Sequence, residues 1–298
     1  MDNSIEIKEL NKFYGRKQAL SNVNLTIEQG MFGLLGRNGA GKTTLMKMLA
    51  TLLQKQSGSI CVCGIPIEKA KEIRKIVGYL PQDFSMYPTM RVAEAMDYLG
   101  VLSGIGTKER KERIEFLLKK VNLSEHKNKK VKALSGGMKR RLGIAQALLN
   151  DPKVLIVDEP TAGLDPEERI RFRNLLCDVA EERIVILSTH IVGDIEATCE
   201  NLAILNEGSI LYCGTVADLL DTAKGKVFSK TVDKRDLPSL KKEYNIIGMH
   251  SHGNKTYIRF LSDVPISDAE KCEPNIEDAY MLYLWHNGAT TEISGGDE

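Results

Sequence analysis

The sequence contains the stretch Gly36-Arg37-Asn38-Gly39-Ala40-Gly41-Lys42-Thr43, which fills every fixed position of the phosphate-loop pattern G-x-x-x-x-G-K-[ST]. The apolar run Met31–Leu35 before it predicts a buried strand, and the apolar periodicity of Thr44–Leu49 after it predicts a helix. The glycines let backbone N–H groups face inward, where the positive end of the helix dipole also attracts phosphate. Lys42 supplies a charge for the β- and γ-phosphates, and the Thr43 hydroxyl can bind Mg²⁺.

The length is enough for one large α/β domain plus an appendage, and the composition is that of a soluble globular protein. The chain has 298 residues, of which 42% are hydrophobic and 27% charged, and its formal net charge is +1. This balance gives no basic surface for nucleic acid, and we interpret the short basic run 127–132 as a solvated loop. The six cysteines lack C-x-x-C spacing, which favours buried, reduced thiols.

The sequence shows neither a membrane-spanning segment nor a secretory signal. No apolar run approaches the ~18–20 residues that a membrane-spanning helix needs. The first residues, Met1–Glu6, are acidic and lack the hydrophobic region of a signal peptide. We therefore expect the chain to be made and kept in the cytosol.

Strand patterns before and after the phosphate loop predict an α/β fold. Residues 5–10 and 20–27 nearly alternate between apolar and polar positions, which predicts two antiparallel strands. Continuous apolar runs later in the chain are typical of buried parallel strands. These runs are Ile76–Leu80, Val154–Val157 and Ile184–Leu187.

A helical insert interrupts the alternation of strands and helices. Residues 90–104 and 108–121 have the 3.6-residue apolar period of helices, and we interpret about 84–135 as a subdomain. Before them, Phe84–Tyr87 is an apolar cluster in a predicted loop. Such a cluster indicates either a docking surface or local core packing.

Acidic and imidazole side chains follow two of the predicted central strands. Asp158 and Glu159 end the first of these strands, and His190 follows the second. Ligands bind α/β sheets at the carboxyl ends of the strands. There Asp158 suits a Mg²⁺ contact, Glu159 can deprotonate an attacking water, and His190 favours a contact with the γ-phosphate.

Two weaker signals accompany these motifs. Ser135-Gly136-Gly137 at the start of a predicted helix is a second possible anion site, although the same residues also form ordinary turns. Tyr14 lies in a loop upstream of the phosphate loop, where it either stacks on a nucleobase or covers the end of the sheet. Asp165 is explained by its position as a helix N-cap before Pro166.

The character of the sequence changes after residue 223. No phosphate or acid motif follows, and short strand patterns precede an amphipathic helix at Ile276–Trp285. We expect one domain over 1–223, a small accessory α+β domain over 224–286, and a disordered tail over 287–298.

Together these motifs resemble the ATP-binding subunits of ABC transporters over about residues 3–220. They occur in the order that the family shows. The matches are Walker A at Gly36–Thr44, the glutamine loop at Gln82, the signature motif at Leu134–Met138, Walker B at Val154–Asp158, the catalytic glutamate at Glu159, the D-loop at Ala162–Asp165, the switch histidine at His190 and the adenine-stacking aromatic at Tyr14.

The resemblance implies a P-loop NTPase fold with a mostly parallel central sheet, an N-terminal antiparallel β subdomain, a helical signature subdomain and a small α+β C-terminal appendage. It implies that Glu159, His190, Gln82 and Lys42 are catalytic, and that Thr43, Gln82 and Asp158 attend Mg²⁺. The residues that it implies for ATP are Tyr14, Gly36, Arg37, Asn38, Gly39, Ala40, Gly41, Lys42, Thr43, Thr44, Ser135, Gly136 and Gly137.

The resemblance also implies partners. Two such domains pair head to tail and hold ATP between Walker A of one and the signature motif of the other, so we expect a homodimer. A separate integral-membrane permease would place the chain on the cytoplasmic face of the cell membrane. The helical insert, Gln82 and Phe84–Tyr87 would contact that permease.

The implied function is ATP hydrolysis that powers transport, and Met138 favours export. Many family members have Gln at this position, and Met is similar to the drug- and peptide-exporter branch. An importer ATPase remains an alternative. An off-membrane ABC ATPase of translation or DNA repair is disfavoured, because the chain has one cassette and lacks a long coiled-coil insert. Intact Glu159 and His190 argue against a module that only senses ATP.

Overall fold

The computed structural model describes residues 3–288 of a chain that divides into two units, Met1–Ile210 and Leu211–Glu298. This division lies earlier than the boundary expected at 223/224. The reason is that the helix Val216–Ala223 packs against the last helix, Ile276–His286, and so belongs with the second unit. Of the tail expected at 287–298, residues 289–298 lie outside the described part of the chain.

The elements alternate as the sequence indicates, with the following bounds. The strands are β1 (Ile5–Tyr14), β2 (Lys17–Ile27), β3 (Gly30–Leu35), β4 (Ser57–Val62), β5 (Ile65–Pro66), β6 (Val77–Leu80), β7 (Val154–Asp158), β8 (Ile184–Thr189), β9 (Asn201–Asn206), β10 (Ser209–Thr215), β11 (Val227–Asp233), β12 (Asn245–His252), β13 (Lys255–Leu261) and β14 (Glu270–Lys271). The helices are α1 (Lys42–Leu49), α2 (Ala70–Ile76), α3 (Val92–Leu102), α4 (Thr107–Lys120), α5 (Gly136–Ala147), α6 (Pro166–Ala180), α7 (Val192–Thr198), α8 (Val216–Ala223), α9 (Leu237–Glu243) and α10 (Ile276–His286).

The predicted antiparallel pair at the N-terminus is part of a larger sheet, whose strand order is β2-β1-β4-β5. Ile5 pairs with Ile27 and Ile7 with Leu25, so that the alternating apolar residues share one face. That face packs into a core with α1 and the central strands. The alternation therefore reflects burial on one side only.

The central sheet has the order β10-β9-β3-β8-β7-β6, and β3, β6, β7, β8 and β9 run parallel. Every residue of β7 and β8 is buried, as the continuous apolar runs predicted. Helices α3 and α4 form the helical insert, and both pack against α5. Helix α2 was not anticipated, and Ile76 ends it rather than beginning the next strand.

The second unit is a small α+β structure, as expected, with a sheet in the order β12-β13-β11-β14. Phe228, Ile258 and Phe260 are fully buried in its core. Arg259 in β13 donates to both carboxylate oxygens of Asp278 in α10, at 3.0 Å from Nε to Oδ1. Because Asp278 is buried, this ion pair ties the helix to the sheet.

We expect Asp278→Asn to lower the free energy of unfolding of the second unit by about 3 kcal/mol, because it leaves the Arg259 charge without its partner. Urea denaturation followed by the fluorescence of Trp285, the single tryptophan of the sequence, measures this change. The control is Asp221→Asn, which removes an exposed ion pair with Lys224 and should leave the transition in place. Equal midpoints for the two variants would contradict the prediction.

Candidate functional site

The register of the parallel strands brings the predicted site residues to one edge of the central sheet. Leu35 pairs with Thr189, Asp158 with Ser188, and Leu80 with Val157, so four strands end at nearly the same level. The residues that directly follow these ends include Gly36, Glu159 and His190. Gly36 N also donates a hydrogen bond to Thr189 O at 3.3 Å, which fixes the start of the phosphate loop.

The phosphate loop passes so close to neighbouring backbone that two of its glycines cannot be replaced. A Cβ at Gly36 would lie 2.3 Å from Leu205 O, and a Cβ at Gly41 would lie 2.6 Å from Ala19 O. Gly41 also has a φ of 111°, which favours glycine, and it is the N-cap of α1. The loop therefore presents its amides at a helix N-terminus, where a phosphate binds.

Lys42 folds back over the loop and is buried. Its Nζ donates to Gly36 O at 2.6 Å and to Arg37 O at 3.2 Å, and it lies 3.0 Å from Glu159 Oε1. The ammonium group is thus held where the strand end and the loop meet. In this position it can neutralise phosphate charge.

Glu159 and His190 are in direct contact. Glu159 Oε2 lies 2.7 Å from His190 Nδ1, and the Glu159 carboxylate is buried whereas the imidazole is partly exposed. Glu159 has a φ of 47°, an unfavourable value for a non-glycine residue, and its N–H donates to Ser188 O at 2.9 Å. A buried carboxylate beside an imidazole can accept a proton from water.

Asp158 is fully buried and has the properties of a cation ligand. Ser188 Oγ donates to its Oδ1 at 2.8 Å, while no donor within residues 3–288 forms a hydrogen bond with Oδ2. Burial raises the pKa of Asp158, and the nearby Ser188 and Thr43 hydroxyls only partly offset this effect. Because Mg²⁺ prefers oxygen ligands, the free Oδ2 and the Thr43 hydroxyl fit this ion.

A cleft at this edge gathers most of the residues that the sequence predicted. Tyr14 lines it and is half exposed, with Lys12 Nζ 5.7 Å from the centre of its ring. Lys12 therefore lies over one face of the Tyr14 ring, while half of the residue stays exposed. The residues that line the cleft are Tyr14, Lys17, Ala19, Arg37, Asn38, Gly39, Gly41, Lys42, Thr43, Thr44, Gln82 and Glu159.

The predicted signature residues Ser135, Gly136 and Gly137 do not line this cleft. Ser135 is the N-cap of α5, and its Oγ accepts a hydrogen bond from Met138 N at 3.2 Å. Ser135 and Gly136 are exposed, whereas a Cβ at Gly137 would lie 2.4 Å from Glu168 Oε2. The signature residues and the phosphate loop therefore belong to different parts of the first unit.

The sequence interpretation did not find Ser188, Thr161 or Asp194. Ser188 binds the Asp158 carboxylate, and Asp194 accepts a hydrogen bond from Thr161. Ser188 could have been predicted from its position, because it lies two residues before His190 at the end of the same strand. No motif identified Asp194.

The phosphate loop, the buried carboxylates at the strand ends and the central parallel sheet define a P-loop ATPase. A family model described as ABC transporter matches residues 20–162. The chain is 33% identical to an uncharacterised ABC transporter ATP-binding protein of Synechocystis, with 97% of this chain and 87% of the relative covered. It is 36% identical to Nod factor export ATP-binding protein I of Cupriavidus metallidurans, with 74% of each covered.

A solved dimeric ATP-binding cassette in a post-hydrolysis state, bound to ADP and Pi, is also similar. It has a TM-score of 0.65 and 26% sequence identity, and the match covers 71% of this chain and 98% of that one. The chain therefore belongs to the family of ABC transporter ATP-binding proteins. It binds and hydrolyses ATP. Among residues 3–288, no helix has the length and apolar character needed to cross a bilayer.

We expect Asp158→Asn to raise the melting temperature by a few degrees at neutral pH without nucleotide. Because burial holds the folded pKa of Asp158 above its unfolded value, ionising this group costs stability at neutral pH. The gain should shrink as the pH falls toward the unfolded pKa of about 4. Calorimetry over a pH series measures it, with the exposed Asp178→Asn as control. A variant that melts lower than the parent at pH 7 would refute the assignment.

Proposed function

We propose that this chain is the ATPase subunit of an ABC exporter, and that it works as a homodimer with a separate membrane permease. The first unit contains every residue of the proposed site, and we assign hydrolysis to it. The contact between Glu159 and His190 beside Lys42 is the observation that carries this proposal. Glu159 and Lys42 line the cleft, and His190 contacts Glu159, so these three side chains support a hydrolytic role for this edge of the sheet.

In this mechanism each residue has one task. The loop amides and Lys42 bind the β- and γ-phosphates, and Tyr14 stacks on the base. Glu159 takes a proton from the attacking water, and His190 contacts the γ-phosphate as charge develops. Mg²⁺, when bound by Thr43, Asp158 and Gln82, supplies positive charge to the phosphate oxygens. The mechanism therefore requires both buried carboxylates to be deprotonated before the water attacks.

The separation of the signature motif from the cleft supports a dimer. Ser135 and Gly136 are exposed and do not line the cleft that holds Walker A. A second copy in head-to-tail orientation would bring its Ser135, Gly136 and Gly137 to the γ-phosphate. The similar solved cassette is dimeric.

Glu159→Gln should lower turnover by about 10²–10⁴-fold, which is the usual contribution of a general base. The amide cannot take a proton, while the phosphate loop still binds ATP. Steady-state phosphate release and equilibrium binding of ATP measure the two effects separately. The control is Glu196→Gln on exposed α7 surface, which should keep parental turnover. Near-parental hydrolysis by Glu159→Gln would rule out its role as base.

The permease would dock on the helical insert. Tyr87 and Tyr98 are both exposed, and their rings meet edge to face with centroids 5.2 Å apart. Phe84 and Met86, in contrast, pack inward, because Met86 is buried and a Cβ at Gly143 would lie 3.2 Å from Phe84 Cδ1. The predicted apolar cluster is therefore partly core. Its exposed part, together with Tyr98, forms the proposed docking surface.

Replacement of Tyr87 and Tyr98 by Ala should abolish capture of the permease. In the chain with Glu159 intact, the same replacement should change phosphate release by less than about twofold, because both rings lie outside the cleft. Tagged Glu159→Gln chain carrying this change is recovered from detergent-solubilised membranes with ATP, and the co-purifying proteins are identified. Tyr257→Ala, an exposed tyrosine of the second unit, is the matched control. Undiminished recovery of a membrane protein with the double variant would contradict the surface.

The same experiment tests the class of function. A polytopic membrane protein in about equal amount supports a transporter ATPase at the cytoplasmic face of the membrane. The name of the Nod factor export relative supports export rather than import. Recovery with ribosomes or DNA alone would move the chain to the off-membrane ATPases.

A further inference from the structure

A buried carboxylate, Asp194, lies behind the contact between Glu159 and His190. It is in α7, four residues after His190, and none of its surface is exposed. Its Oδ2 accepts a hydrogen bond from Thr161 Oγ1 and lies 3.5 Å from Thr189 Oγ1. A buried carboxylate costs free energy unless charged or hydrogen-bonding groups surround it.

The two threonines that meet at Asp194 belong to the segments that carry the proposed catalytic pair. Thr161 follows Glu159 by two residues, and Thr189 directly precedes His190. The same two segments are therefore joined twice, once through the Glu159–His190 contact and once through Asp194. This second connection stabilises the chain next to Glu159, whose positive φ must be held by its surroundings.

Two arginines of α6 supply the charge that Asp194 needs. Arg169 Nε lies 3.2 Å from Asp194 Oδ1, and Arg173 NH1 lies 3.9 Å from the same oxygen. Arg173 NH1 also donates to Gly193 O at 2.9 Å. Helix α6 begins at Pro166, directly after the predicted D-loop Ala162–Asp165. Asp194 thus joins this helix to both strand ends.

We propose that Asp194 is a positioning residue for ATP hydrolysis, which holds the segments of Glu159 and His190 in their catalytic geometry. Asp194 is fully buried, and its carboxylate contacts Thr161, Thr189 and two arginines of α6, so it acts through these segments rather than on ATP. The proposal rests on the proposed roles of Glu159 and His190. Its loss should change turnover and leave nucleotide binding intact.

The test is Thr161→Val in the full chain, which removes one hydroxyl without removing a charge. We expect kcat to fall about ten- to a hundredfold, as for a small displacement of catalytic groups, while KM for ATP stays within about twofold. Thr198→Val is the matched control. Its hydroxyl donates to the backbone oxygen of Asp194 at 2.6 Å instead of to the carboxylate, so kcat should stay within about twofold of the parent.

A triple variant separates positioning from a merely structural role. In a background that carries both Glu159→Gln and His190→Ala, Thr161→Val should change the residual rate by less than about twofold, because its effect passes through this pair. A second route is the paired change Asp194→Asn with Arg169→Gln, which removes both charges together. This paired variant should show the same low kcat with parental KM. It therefore tests the proposal even if Thr161→Val folds poorly.

The outcomes distinguish this proposal from the one on which it rests. Parental kcat in Thr161→Val beside an inactive Glu159→Gln overturns the positioning role alone. A further fall in the triple variant also overturns it, since Thr161 would then act independently of the Glu159–His190 pair. Parental turnover in Glu159→Gln overturns the catalytic assignment and, with it, this proposal.

Discussion

The site depends on the register of the parallel strands β3, β8, β7 and β6. Parallel pairing sets Leu35 beside Thr189 and Asp158 beside Ser188, so the loops after these strands begin together. A shift of one residue would reverse which side chains face each side of the sheet and would separate Glu159 from His190. The buried apolar residues of β7 and β8 fix this register, because both strands are covered on both faces.

The same edge concentrates charge in a buried environment. Lys42, Asp158, Glu159 and Asp194 are all buried, although each would be more stable in water. Lys42 offsets part of this cost for Glu159, as Arg169 does for Asp194. Within the part of the chain that the structure describes, one carboxylate oxygen of Asp158 has no hydrogen bond, and burial raises the pKa of this group. The ionised Asp158 carboxylate therefore lowers the free energy of unfolding at neutral pH. Such a cost is expected of a residue that serves as a cation ligand rather than one that stabilises the fold.

The sequence predicted the central strands and the phosphate-loop motif, but it did not predict helix α2 or the contacts between distant elements. Continuous apolar runs located β7 and β8, and spacing alone located the phosphate loop, because both signals are local. Asp194 carries no such signal: its partners Thr161 and Arg169 come from other elements. The boundary between units was misplaced for the same reason, since the pattern of α8 does not show that it packs on α10.

Helix α6 lies between the helix that begins at the signature motif and the segments that carry Glu159 and His190. Glu168 and Arg169 are neighbours on this helix, yet they contact opposite sides. Glu168 Oε2 lies 3.2 Å from Arg141 Nε in the helix that begins at the signature motif, and Arg169 lies 3.2 Å from Asp194. An ion pair thus joins α6 to each side. Because Asp194 is buried and Glu168 is mostly buried, breaking either pair would cost more stability than breaking an exposed pair.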